Sequence, residues 1–98
     1  PPYEPYRQRL EQAPDDHPVR LELARSLPAH EALAQSLDQY EVLIEATKML
    51  DDVTGDLQQL VEEYHETPRV HRLLGDTYLR SGQLKDALDA YRAALERL

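Results

Sequence analysis

The sequence predicts an all-α fold built from antiparallel helix pairs, about six helices in all. Three observations carry this. Apolar residues recur at steps of three and four along most of the chain, the period of a helix face. Proline, glycine or a capping acid interrupts that pattern, so that helix starts fall about 17 residues apart. No stretch of useful length alternates apolar with polar residues, so no sheet is expected.

The first helix is expected from Pro5 to Ala13, with Tyr6, Leu10 and Ala13 on one face. Pro5 suits a first turn, where its missing N–H would lack a partner anyway. Pro14 ends this helix, and Asp15 and Asp16 offer cap oxygens to the next, with Pro18 inside its first turn. The second helix carries Val19, Leu23 and Leu27 on one stripe, with Ala24 beside them. Pro28 stops or kinks it, and a boundary is expected near Leu27, because a residue before proline is pushed out of the helical region. A third, longer helix is expected from Pro28 to about Lys48, with a stripe of Leu33, Ser36 or Leu37, Tyr40, Leu43 or Ile44, and Thr47. Asp51 or Asp52 then caps a fourth, with Val53, Leu57, Leu60, Val61 and Tyr64 buried and Gly55 in its first turn. Thr67 is a good cap and Pro68 a good first residue for the fifth, whose stripe is Val70, Leu73, Leu74 and Tyr78. Ser81-Gly82-Gln83 is a helix stop followed by an immediate restart. The sixth helix carries Leu84, Ala87, Leu88, Tyr91, Ala94 or Leu95, and Leu98.

Ninety-eight residues suffice for one domain with a core of its own. Without cysteine there is no disulfide, thiol nucleophile or cysteine metal site. Phe and Trp are absent, so six Tyr supply every aromatic contact. No apolar run is long enough to span a bilayer and none resembles a signal sequence, so the expectation is a cytoplasmic protein. The chain opens with Pro-Pro rather than Met and is expected to be a piece of a longer protein. A net charge of −8 argues against nucleic acid and anionic membrane as partners. Residues 1–66 hold fifteen acids and five bases, whereas 67–98 hold four acids and six bases. Most such asymmetry is a solvated face, but ends of unlike sign also favour head-to-tail contact.

A helix every 17 residues makes a pair every 34, a period that points to stacked repeats. Residues 68–98 resemble a tetratricopeptide repeat through Leu74-Gly75, Tyr78, Gly82, Ala87, Tyr91 and Ala94. The resemblance implies a right-handed solenoid of stacked pairs. In it Gly75 and Ala87 are small where two helices cross, Gly82 makes the turn, and the Tyr and Leu residues fill the space between pairs. Residues 1–66 match less well, in two competing frames. One steps back by 34 and pairs the third helix with the fourth, but sets Glu41 where a small residue is wanted. The other treats 17–48 as a degenerate repeat, aligning Leu23-Ala24, Leu27, Ser36, Tyr40 and Leu43 with Leu74-Gly75, Tyr78, Ala87, Tyr91 and Ala94. It leaves 51–65 as an extra half-unit and is preferred because it keeps small residues at both crossings.

No catalytic grouping stands out, so no enzyme activity and no cofactor are expected. His65 and His71, with Glu62 and Glu66 nearby, form the one conceivable metal site, at a spacing that matches no ligand motif, and no metal is assigned. His17 and His30 read as solvated or capping residues. The acid pairs at 15–16 and 51–52 are better explained as helix caps than as acid–base machinery.

Binding is the stronger expectation. Arg69, Arg72, Asp76 and Arg80, with Leu79 among them, lie off the core stripe of the fifth helix. In the resembling family this face lines a concave groove that holds peptides, and guanidiniums there suit the carboxylates of an acidic segment. One subgroup of that family clamps chaperone C-termini with Lys, Arg and Asn, but this chain has no Asn, so that clamp is not carried over. The expected function is a scaffold that binds a peptide or helix of a partner protein. The alternative is homo-oligomerisation through an unprotected last helix bearing Tyr91, Leu95 and Leu98.

Overall fold

Six α-helices and one 3-10 turn, with no strand, make up the computed structural model, which describes residues 1–98. In order they are α1 (Glu4–Gln12), α2 (His17–Ser26), a 3-10 turn (Pro28–His30), α3 (Leu33–Ala46), α4 (Leu50–Glu63), α5 (Pro68–Arg80) and α6 (Leu84–Glu96). They divide into two units, Pro1–Met49 and Leu50–Leu98. No helix is long and apolar enough to cross a membrane.

In the first unit α1 packs on α2, and α2 on α3. Leu10, Val19, Leu23 and Leu27 form a buried cluster, with Tyr3, Tyr6 and Ala32 packed against it. The Asp16 carboxylate caps α2 by accepting the Val19 N–H at 3.2 Å. The end of α2 departs from expectation. Leu27 keeps helical dihedrals (φ −68°, ψ −39°), and Pro28 begins a 3-10 turn instead of a new α-helix. The break comes at Glu31, in the left-handed region at φ 57°, so α3 starts at Leu33.

Proline explains the next contact. Pro28 has no N–H to give the Ala24 carbonyl four residues back. Ser36 on α3 supplies the missing donor, its hydroxyl bonding Ala24 O at 2.7 Å. Ala24 and Ser36 are both fully buried, so the two helices meet where their side chains are small. Leu37, Tyr40, Leu43 and Ile44 fill the rest of the inner face of α3, whereas Thr47 ends the helix, exposed and at φ 55°.

In the second unit α4 packs on α5, and α5 on α6. Met49, at φ 55°, turns the chain into α4, which begins at Leu50. Asp51 and Asp52 therefore lie inside the first turn of α4 instead of capping it, where they still complement the helix dipole. Gly55 falls in the second turn, and a Cβ there would meet open space. Val53, Leu57 and Leu60 are buried, while Val61 and Tyr64 are only partly so. Thr67 takes the cap position of α5 without a side-chain bond, leaving Pro68 to start the helix. Between α5 and α6, Gly82 adopts φ 77°, a conformation open to glycine at little cost.

Candidate functional site

α5 has a buried arc of Val70, His71, Leu73, Leu74, Gly75 and Thr77. Its remaining arc carries Arg69, Arg72, Asp76, Leu79 and Arg80. α6 faces it across a close crossing. A Cβ on Gly75 would lie 2.7 and 2.8 Å from Tyr91 ring carbons, so the ring rests directly on the α5 backbone. The fully buried residues of α6 are all alanines, Ala87, Ala90 and Ala94.

This corrects the expected core stripe of α6. Leu84, Leu88, Leu95 and Leu98 are 61, 56, 68 and 90% exposed. α6 has two apolar stripes side by side, alanines inward and leucines outward.

The outward leucines help to build a groove of about 550 Å³. Pro68, Arg69 and Arg72 form one wall; Tyr91, Ala94 and Leu95, with Leu98 beyond the helix end, form the other. The lining is almost wholly apolar. The Tyr91 hydroxyl donates to Asp76 Oδ1 at 2.5 Å, and Arg72 Nη1 reaches Asp76 Oδ2 at 3.4 Å. Burial, then the hydrogen bond and charge of Asp76, push the Tyr91 pKa up to about 12, with Arg72 opposing. Near neutral pH Tyr91 is a neutral phenol. Asp76 is committed to Tyr91 and Arg72, so it positions the groove wall.

No protein-family model, curated protein or solved structure matches this chain.

Of the residues that the sequence suggested for binding, Arg69 and Arg72 line the groove and Asp76 stands behind it. Leu79 and Arg80 lie further along α5, outside the lining. His65 and His71 do not form a metal centre: no group of three or more His, Asp or Glu side chains converges as a metal ion requires. His71 is buried, its Nε2 2.7 Å from the His65 carbonyl, and the His65 ring sits exposed beside Glu66. A carbonyl only accepts, so His71 Nε2 carries the proton. Arg97 Nε bonds the same carbonyl and ties the end of α6 to the α4–α5 loop. Sequence reasoning missed Arg97 and Ala90 altogether. It also missed that Leu95 and Leu98 belong with Arg69 and Arg72. The available signal was the double periodicity of α6, with alanines at 87, 90 and 94 and leucines at 84, 88, 95 and 98.

A second hollow, of about 420 Å³, lies in the first unit. Arg7, Glu11, Arg20 and Asp38 around it balance in charge, and Gln39 Oε1 (2.6 Å) and the Pro14 carbonyl (3.0 Å) hold Arg20. It offers less than the α5–α6 groove, because its polar groups largely serve one another.

Proposed function

We propose that this chain is a protein-interaction module that holds a peptide or helix of a partner protein in the α5–α6 groove. The observation that carries the reading is the groove itself, an open apolar hollow with Arg69 and Arg72 in one wall. Apolar surface binds by leaving water, and the guanidiniums select for carboxylates and set orientation. The proposed architecture is a tetratricopeptide-like, right-handed stack of helix pairs. Its support is that both helix pairs bury small residues, Ala24 and Ser36 in α2–α3 and Gly75 and Ala87 in α5–α6.

The test is a random-peptide display screen against the 98-residue chain, repeated on Arg72→Glu and Leu95→Asp. Peptides enriched on the unmodified chain and lost on both variants are the expected result. Both positions are exposed, so helicity should be kept, with melting lowered slightly in Arg72→Glu because its pair with Asp76 is lost. Failure to enrich any groove-dependent peptide would overturn the reading.

A further inference from the structure

The exposed large aliphatic residues of this protein are Val42, Leu79, Leu84, Leu88, Leu95 and Leu98. All but Val42 fall within the last twenty residues, and four belong to α6 or its end. Scattered leucines on a surface are ordinary, but a row of them marks an interaction site. This row has a defined period. Leu84, Leu88, Tyr91, Leu95 and Leu98 follow one another at steps of four, three, four and three. That is a repeat of 3.5 residues, the spacing at which one helix receives another along a shared seam.

Both borders of the seam are basic. On one side Lys85 lies three residues before Leu88, and Arg92 lies four after Leu88 and three before Leu95. Residues so spaced are neighbours on a helix surface. On the other side, across the alanine stripe, the α5 wall carries Arg69 and Arg72. Of the acids on that side of α6, Asp89 pairs with Lys85 at 3.2 Å and Arg92 at 4.0 Å, and Glu96 pairs with Arg97 at 3.8 Å. Such exposed pairs hold weakly and exchange readily for a better partner.

We infer that the seam takes a single amphipathic helix from a different protein, with leucine-like residues at heptad spacing and carboxylates on both flanks. This rests on the interaction reading above and adds the chemistry of the partner. Charge disfavours one arrangement of two copies, and the distribution of exposed aliphatics the other. Two copies meeting seam to seam would bring cationic borders together, a like-charge contact that costs affinity. A head-to-tail contact would set the leucines against a surface whose only exposed large aliphatic outside 79–98 is Val42. The thirteen residues of α6 span about 20 Å, so the occupant needs about four helical turns.

The probes are two synthetic peptides about three heptads long, alike in their leucines and differing only in glutamate or lysine at the flanking positions. Fluorescence anisotropy with the whole chain is expected to show binding of the glutamate peptide, weakening as salt rises. The lysine peptide should bind at least about tenfold less tightly, as should the glutamate peptide to Leu88→Ser or Arg92→Glu. Equal binding of both peptides, or no effect of Arg92→Glu, would refute the acidic assignment and leave the groove reading standing. Binding of neither peptide would refute the helical assignment, and the display screen then reports separately on the groove. A peptide-free dimer in sedimentation, lost in Leu88→Ser, would give the seam to a second copy and overturn the inference.

Discussion

Two glycines show how the same substitution acts in opposite senses. Gly55→Ala fills open space on α4 and gains helix propensity, so the protein should be more stable by about 1 kcal/mol in urea unfolding. Gly75→Ala gains the same propensity but drives a methyl into the Tyr91 ring, which the Asp76 hydrogen bond holds in place. A net loss of about 1–3 kcal/mol is expected, as for other overpacked contacts. Tyr91 also carries a pH signature. Its folded pKa, about 12, lies above its ordinary value of 10.0, so the fold favours the neutral phenol. That stabilisation is complete below pH 10 and is lost as pH rises from 10 through about 12. Tyrosinate absorbance should show a late-titrating component that is lost in Tyr91→Phe.

At the level of the helix, single residues with strong backbone demands were legible in the sequence. Asp16 with Pro18, Pro68 and Gly82 each limit the backbone by themselves, and the element edges fall there. The start of α3 was not legible, because Pro28 suits a 3-10 turn as well as a helix start. Glu31, a residue with no preference for positive φ, ends the turn, its N–H on the Pro28 carbonyl and that of Ala32 on the Leu27 carbonyl. The inward arc of α6 was hidden for a different reason. Alanine and leucine both score as apolar, so the pattern does not say which of them faces inward. The sequence therefore points to half of the groove, from α5 alone, and offers Leu95 and Leu98 both as core stripe and as an unprotected face, without joining them to Arg69 and Arg72. The link between α2 and α3 gives a sharper check. Ser36→Ala removes the one donor seen on a buried carbonyl that proline has already deprived, and should cost about 1–3 kcal/mol. A melting shift no larger than that of an exposed Ser→Ala change would refute this account.

Over the whole molecule, the two units meet in sequence at Thr47-Lys48-Met49, where Thr47 and Met49 both adopt positive φ. Lys48 is exposed, and it and Arg97 are the basic side chains outside regular helix. Arg97 is held through the carbonyls of His65 and Ala93. Limited trypsin digestion should therefore cut first after Lys48 and release fragments 1–48 and 49–98, seen by mass spectrometry. First cuts within α2 or α5 would contradict this, since cleavage there requires a helix to open.

The hydrogen bonds that join helices also say how the chain finds its fold. Ser36 and Ala24 are 12 residues apart, Tyr91 and Asp76 are 15, and Gln58 and Tyr78 are 20. The bond from Arg97 to His65 reaches further, across 32 residues. Chains dominated by such short separations have little loop entropy to overcome and fold in microseconds to milliseconds. Within the second unit the Gly82 hairpin, whose partners are nearer in sequence than Gln58 and Tyr78, is placed to form first, and the Arg97 closure last. In kinetic terms the turn that separates α5 from α6 is the point from which the second unit assembles.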